Sequence, residues 1–194
     1  MSGDVGNNTT FLMLASTFFT VNPATDLGLS DGDSLGYFLV GGGKNGAGTT
    51  SGSSGKGGQG GNILQGTAII TNASTDLILT PGIGMYNLMY SYQIRETIDA
   101  TESTITGGLT LSSADGHNFQ GVGGQLTSAT SIASHNGING YGVGASAVDS
   151  RYPNSVSVNG GDAHGYGCGN GWVYTNTGSS VITQAGDGAI LLFY

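Results

Sequence analysis

Charged side chains are scarce in this chain: they make up 8% of its 194 residues, about a third of the usual share. Only 4 are Lys or Arg, against 12 Asp or Glu, which gives a net charge of −8. Affinity for nucleic acid comes mainly from cations that neutralise phosphates, so this balance argues against a nucleic-acid partner. The surface must consist of Ser, Thr, Asn, Gly and Tyr, which suits a chain held in an assembly or exposed outside a cell.

Proline and cysteine are nearly absent. With 3 Pro and no Gly-X-Y period, a collagen triple helix is excluded. The sole cysteine, Cys168, cannot form an internal disulfide, and we expect a small, partly buried side chain there. The apolar run from Phe11 to Phe19 is too short for a membrane helix and lacks a basic flank. We therefore expect neither a signal peptide nor membrane insertion.

Glycine is the residue in excess: the chain has 38, about three times the usual share. The densest tract runs from Gly41 to Gly61, and others lie around 121–124, 137–144 and 160–171. Such segments are either disordered or packed backbone to backbone, as in polyglycine II stacking. Apolar residues, 37% of the chain, fall in compact blocks between the tracts, which predicts one domain over 1–194.

Strands fit these apolar blocks better than helices, because glycine and Ser/Thr clusters interrupt any 3.6-residue period. The predicted strands are Thr10–Thr20, Leu35–Val40, Ile63–Thr71, Leu77–Thr80, Met85–Ile98, Ile105–Leu111, Gln125–Ile132, Ser155–Val158, Trp172–Thr175, Ser180–Thr183 and Ala189–Tyr194. Many short strands with turn signals between them predict an all-β fold, an antiparallel, jelly-roll-like β-sandwich with long glycine-rich loops.

Two strands and three turns carry more detailed expectations. Alternation within 85–98 predicts that Tyr86, Leu88 and Ile98 face a core while Asn87 and its parity mates face water or a partner. The run 189–194 is apolar at both parities, which indicates a central strand or one that faces a neighbouring subunit. The turn pairs end in glycines expected to be free to adopt positive φ. They are Asp31-Gly32, Pro81-Gly82 and Asp187-Gly188.

Motifs for cofactor or metal chemistry do not fit their context. Gly55–Gly60 matches GxGxxG, but a strand follows it where a dinucleotide site needs a helix. Asp31 and Asp33 lack the further ligands of a calcium loop, so a turn with a capping Asp is favoured. The three histidines, His117, His135 and His164, show no metal-ligand spacing. We expect no cofactor and no metal.

Catalytic constellations are equally weak. A triad of Ser134, His164 and Asp162 has no GxSxG turn to hold its nucleophile. The carboxylates Glu96, Asp99 and Glu102 follow an amphipathic stretch and are typical of a solvated strand end rather than of a glycosidase pair. We expect that the protein is not an enzyme.

The segment from Ser134 to Gly178 is the richest in recognition chemistry. Tyr, Ser, Gly and Asn are the residues that binding loops favour, and aromatic rings with nearby amides also suit sugars. The candidate receptor-binding residues are His135, Asn139, Tyr141, Tyr152, His164, Tyr166, Asn170, Trp172 and Tyr174. The alternative is that Tyr141, Tyr166 and Trp172 cover glycine backbones and seal the fold. We therefore assign Gly41–Gly61 to a scaffold or assembly loop and Gly137–Gly171 to the candidate recognition face.

The order of features resembles the glycine-rich β domains of bacteriophage tail-fibre proteins and adhesins. The motifs that carry the resemblance are Tyr37-Phe-Leu-Val-Gly-Gly-Gly43, Gly57-Gly-Gln-Gly-Gly61 before the strand Ile63–Ile70, Leu77-Ile-Leu-Thr-Pro-Gly82, and Gly186-Asp-Gly-Ala-Ile-Leu-Leu-Phe-Tyr194. The extracellular glycine-rich domain of some receptor kinases, a TNF-like jelly roll with polyglycine helices, has a similar plan. The resemblance implies a virion protein and a homo-oligomer, most often a trimer.

The leading hypothesis is a non-enzymatic phage or virus structural protein at the virion surface: a tail fibre, a tail tip or a capsid decoration. Its partners would be other virion proteins and a host surface glycan or envelope protein, bound by many weak contacts at once. The alternative is a self-assembling subunit of a surface fibre or matrix with no receptor, in which 10–20 completes a neighbour's sheet. An ice-binding protein and a glycan hydrolase rank lower, because the threonines lack regular spacing and no catalytic pair is evident.

Overall fold

The computed structural model describes residues 10–14, 17–45, 47–48, 54–56, 58–90, 93–109, 111–112, 125–127, 158–159, 166–169, 173–174 and 180–194. Within these ranges the regular elements are strands, apart from one helical turn, and every strand pairing is antiparallel. The predicted all-β class is therefore confirmed. Among the described residues, no helix has the length and apolar character needed to cross a membrane.

The strands are short and follow one another closely. They are β1 (Thr10–Leu14), β2 (Phe19–Val21), β3 (Ser34–Val40), β4 (Ala47–Gly48), β5 (Ser54–Lys56), β6 (Ile63–Ile69), β7 (Leu77–Thr80), β8 (Tyr86–Tyr90), β9 (Gln93–Ile98), β10 (Thr104–Thr106), β11 (Leu111–Ser112), β12 (Gln125–Thr127), β13 (Val158–Asn159), β14 (Val173–Tyr174), β15 (Ser180–Gln184) and β16 (Ala189–Phe193). The helical turn α1 spans Pro23–Asp26 after β2, and the Asn22 side chain caps it by accepting from Ala24 N and Thr25 N.

Two four-stranded sheets contain most of the core. Sheet 1 has the order β1-β16-β3-β6, and sheet 2 has the order β11-β10-β7-β2. One cluster of buried side chains has members from both sheets, so one face of each sheet contributes to the same core. The fully enclosed members of this cluster are Leu35, Leu39, Leu77, Leu79, Ile105, Ile190 and Leu192.

The C-terminal strand β16 is central in sheet 1, as its apolar run at both parities predicts. Ile190 and Leu192 face the shared core. On the opposite face, Ala189 packs with Phe38 and Val40 in a second, smaller cluster. Because both faces of the strand are covered at this end, the sequence shows no alternation there.

Three predicted long strands are each two shorter ones. The stretch 10–20 divides into β1, which pairs with β16, and β2, which pairs with β7. The stretch 105–111 becomes β10 and β11, which pair with each other, and Gly107 directly after β10 has φ 110°. The stretch 85–98 becomes the antiparallel pair β8 and β9 with a register shift after Leu88.

The parity expected for the stretch 85–98 is wrong as a consequence. Asn87, expected on the outer face, is 3% exposed, and its side-chain oxygen accepts a hydrogen bond from the Thr97 hydroxyl at 3.0 Å. Ile98, expected in the core, is 50% exposed. The reversal of direction and the register shift between β8 and β9 break the single alternation that a continuous strand would have.

Candidate functional site

The glycine-rich segments meet at one end of the two four-stranded sheets. β3 and β7 end there, and β6, β10 and β16 begin there, because antiparallel neighbours alternate in direction. We call this region the glycine junction. It consists of the segments 41–45, 58–62, 81–85, 99–103, 166–169 and 185–188. Two of these segments lead out of the sheets, from β3 toward β4 and from β7 toward β8. Three others lead back into them, from β5 to β6, from β9 to β10 and from β15 to β16.

Gly43 lies at the centre of the junction and touches three other segments. Its N–H donates to the Gly186 carbonyl at 2.9 Å, and its carbonyl accepts from Met85 N at 2.8 Å. A Cβ atom at this position would run into the Cys168 carbonyl oxygen. The backbone of one residue therefore contacts the segments 81–85, 166–169 and 185–188.

A chain of backbone hydrogen bonds links the segments 58–62, 166–169 and 185–188. Gly61 N donates to the Gly167 carbonyl at 2.6 Å, and Gly167 N donates to the Asp187 carbonyl at 2.6 Å. Gly186 N donates in turn to the Cys168 carbonyl at 2.8 Å. Segments far apart in sequence are thus hydrogen-bonded without forming a regular ladder, which satisfies buried backbone groups that no side chain covers.

Most junction glycines are required by close approach; only Gly167, at φ 63°, is among the positive-φ glycines of the described residues. At seven junction glycines a Cβ atom would lie under 3.0 Å from a backbone carbonyl oxygen of another segment, a distance that real Cβ atoms do not reach. These are Gly42, Gly43, Gly61, Gly82, Gly84, Gly169 and Gly188. The prediction of positive φ holds at Gly32, with φ 92°, but Gly82 and Gly188 are not among the positive-φ glycines. Described glycine segments therefore pack backbone to backbone.

Three side-chain oxygens complete the junction. Ser103 Oγ accepts from Gly82 N at 2.8 Å, Thr101 Oγ1 from Ile83 N at 2.8 Å, and Asp187 Oδ1 from Gly84 N at 2.8 Å. Three consecutive backbone donors after Pro81 are thus satisfied by side chains from two other segments. The turn-forming Asp187 of the sequence acts here as an acceptor across the junction.

The candidate metal ligands are committed to structural hydrogen bonds. Asp31 Oδ1 accepts from Ala73 N at 2.7 Å, and Asp33 Oδ2 accepts from Ser30 N at 2.7 Å. This is the capped turn that the sequence favours over a calcium loop. In the described ranges, no group of three or more His, Cys, Asp or Glu side chains could hold a metal ion.

Two of the nine candidate receptor-binding residues lie in the described part of the chain. Tyr166 is half-buried and packs against the cluster of Phe38, Val40 and Ala189. Tyr174 belongs to β14, where it pairs with Val158. The other seven lie outside the described residues: His135, Asn139, Tyr141, Tyr152, His164, Asn170 and Trp172. Ser134 and Asp162 of the candidate triad also lie outside them, while Asp99 and Glu102 are exposed.

The two glycine regions, Gly41–Gly61 and Gly137–Gly171, meet in the junction. The sequence assigns the first to a scaffold and the second to a recognition face. Gly61 of the first is hydrogen-bonded to Gly167 of the second, and Gly169 lies against the Gly58 carbonyl. Cys168 between them is fully buried, where the sequence predicts a partly buried side chain. The segment 166–169 therefore attaches one point of the candidate recognition region to the junction.

One exposed surface escaped the sequence analysis. The outer face of sheet 2 places Thr20 beside Ile78 and Ile78 beside Thr106, with Thr80 beside Thr104 in the next row. Ile78 is 41% exposed, and Phe18, just before β2, is 70% exposed. No charged side chain lies on these rows. The Thr-Ile-Thr sequence of β10 is the local sign of this surface, but only the strand pairing shows that residues of β2, β7 and β10 lie side by side on it.

Comparisons with known proteins add no assignment to this geometry. No family model matches the chain, and no curated protein matches its sequence.

Proposed function

We propose that this chain is a non-enzymatic structural protein displayed on the surface of a bacteriophage or virus particle. In this proposal it is a jelly-roll-like β-sandwich whose glycine segments pack as polyglycine II. It serves in a tail fibre, a tail tip or a capsid decoration, together with other virion proteins and further copies of itself. Its outer region attaches the particle to a glycan or envelope protein of the host.

The glycine junction is the observation that carries the proposal. Seven glycines lie so close to carbonyl groups of other segments of the chain that no side chain fits. Backbone packing of this kind gives these seven glycines a structural reason and is what the resemblance to tail-fibre and adhesin domains implies. The single core shared by sheets 1 and 2 supports the sandwich arrangement.

Attachment would work by repetition. The candidate recognition region is joined to the junction at 166–169, where Gly167 donates to the Asp187 carbonyl and accepts from Gly61 N. A firmly held base lowers the conformational entropy lost when the outer residues bind. Weak contacts by each copy then add together across the particle.

Immunogold microscopy of purified particles tests the virion assignment. An antibody raised against the full chain is applied to phage particles purified from the source culture and, in parallel, to uninfected host cells. Gold on the particles supports the proposal. Gold confined to cell surfaces or to an extracellular matrix contradicts it and favours the fibre or matrix subunit.

Attachment is tested separately by binding of the labelled full chain to host cells. Tyr141→Ala and Trp172→Ala are expected to reduce binding at least about tenfold, since aromatic anchors dominate such contacts. Thr20→Ala, on an exposed strand of sheet 2, is the control. Unfolding curves must match the unchanged chain. Undiminished binding by folded variants would remove receptor recognition from the proposal while leaving the virion assignment in place.

A further inference from the structure

β6 is an uncovered edge of sheet 1. Within the described part of the chain it pairs with β3 alone. Gln65, Gly66, Thr67 and Ile69 are exposed, Ile69 by 54% of its surface. Solvent therefore reaches the strand over most of its length.

The hydrogen bonds at the two ends of β6 show which of its backbone groups are directed outward. Gly41 N donates to the Asn62 carbonyl at 2.9 Å, and Ile70 N donates to the Asp33 carbonyl at 2.9 Å. In an antiparallel pair such bonded residues alternate, so the even-numbered residues of β6 bond to β3. The N–H and C=O groups of Ile63, Gln65, Thr67 and Ile69 consequently point away from β3.

This edge lacks the features that usually prevent strand addition. Exposed edges normally carry Lys, other charges, Pro or a bulge. The sequence of β6, ILQGTAI, contains no charge and no Pro, and its register with β3 is unbroken. Tyr37 lies over the one glycine in the strand: a Cβ atom on Gly66 would meet its hydroxyl oxygen at 2.7 Å. An aromatic ring over an edge glycine keeps the strand extended.

The sequence of β6 is self-complementary about Gly66. Laid antiparallel on a second copy and centred there, Ile63 faces Ile69 of that copy, Leu64 faces Ala68, and Gln65 faces Thr67. Apolar residues meet apolar residues and polar meet polar, at every position. We infer that β6 is a self-pairing interface: two copies of this chain join through antiparallel β6 edges, with a two-fold axis at Gly66, into one continuous sheet.

The pairing uses the outward groups already identified. Ile63, Gln65, Thr67 and Ile69 would form the hydrogen-bonded pairs of the new ladder, so each of their N–H and C=O groups gains a partner. A two-fold axis perpendicular to the sheet leaves the core-facing side chains on the same face in both copies. The exposed Ile69 comes to lie beside Ile63 of the second copy, which removes apolar surface from water.

Charge also favours a second copy at this place. The chain carries a net charge of −8, so most faces of two copies repel each other. All four strands of sheet 1 are free of charged residues. β6 edges can therefore approach without bringing carboxylates together. The inference does not depend on the virion assignment, and its two-fold contact differs from the trimer that the resemblance implies.

Sedimentation equilibrium of the full chain over a range of concentrations tests the interface. The unchanged protein is expected at twice its 19.4 kDa mass. The double substitution Gln65→Lys with Thr67→Lys opposes lysines directly across the axis and is expected to raise the dimer dissociation constant at least about tenfold. Gln65→Glu with Thr67→Lys opposes unlike charges instead, so it is expected to retain the dimer.

Two further variants keep the test sharp. Thr67→Pro removes only an outward N–H, so it should leave β3 pairing intact and still weaken the dimer. Thr20→Lys places a lysine on the exposed edge strand β2 and should leave the dimer unchanged. A monomer at all concentrations overturns the inference. A dimer or trimer whose mass stays the same in the double-lysine variant and in Thr67→Pro also overturns it. The unfolding curve of each variant verifies that it is folded.

Discussion

The hydroxyl of Ser103 donates a hydrogen bond to the Val40 carbonyl oxygen. Val40 ends β3 in sheet 1, and Ser103 directly precedes β10 in sheet 2. The same hydroxyl oxygen accepts from Gly82 N, just after β7, and Ser103 is fully buried. One small polar side chain therefore joins both sheets to the glycine junction.

Replacing Ser103 by Ala should destabilise the protein. It leaves the Val40 carbonyl and Gly82 N without this partner in a buried place, at a cost of about 1–3 kcal/mol for each group. Urea unfolding followed by circular dichroism measures the change. Thr101→Val, which removes an acceptor at an exposed residue, is the matched control and should cost less than about 1 kcal/mol. Equal losses for the two variants would contradict the bridging role.

Gly61→Ala should be among the most damaging single-methyl additions in the chain. Its Cβ atom would collide with the Gly41 carbonyl, so the two segments must separate, at a cost of at least about 1–3 kcal/mol. At Gly108 an added Cβ has its nearest neighbour at 3.6 Å, which is ordinary contact. Gly108→Ala should therefore leave the melting temperature within a few degrees of the unchanged protein, and a similar fall in both variants would argue against close packing of the junction.

Asp187 is expected to act through its oxygen acceptor rather than its charge. Asp187→Ala deprives Gly84 N of its 2.8 Å partner and should lower the free energy of unfolding by about 1–2 kcal/mol. Asp187→Asn retains a carbonyl oxygen there and should recover most of that loss. If Asn is as harmful as Ala in urea unfolding, the carboxylate has a role other than accepting this bond.

Two adjacent residues of β7 test which face of sheet 2 packs against the core. Leu79 is fully buried among both sheets, and Leu79→Ala should cost about 2–5 kcal/mol. Ile78 beside it points to the exposed outer face of sheet 2. Ile78→Ala should cost less than about 1 kcal/mol. Thermal unfolding of the two variants distinguishes them, and a larger loss at Ile78 would mean that the outer face is covered.

Local patterns were enough to predict several elements. An apolar block before the Pro81-Gly82 turn signal predicted β7 at its observed bounds, and apolar runs predicted β3 and β16 to within one residue. The capping of Ser30 N by Asp33 within its turn also followed from short-range chemistry. These features depend mainly on side chains near one another in sequence.

Strand division and the candidate site needed more than local pattern. The stretch 85–98 looks like one amphipathic strand, yet β8 and β9 pair with each other, and Asn87 is buried by that arrangement. Tyr166 carries the signature of a recognition residue, and the structure also packs it on Val40 and Ala189, a contact that no local pattern indicates. The sequence does not state which distant segment a strand or an aromatic ring will meet.

The glycine content by itself determined that much of this chain would have no side chains to bury. It left open whether such segments would be disordered or packed. The tertiary structure decided the matter for the described ones, because sheets 1 and 2 bring six segments to one end, where Gly43 and Gly61 meet carbonyl groups of distant chain. Hydrogen bonds between backbones have no signature in the side chains, so only the fold could reveal them.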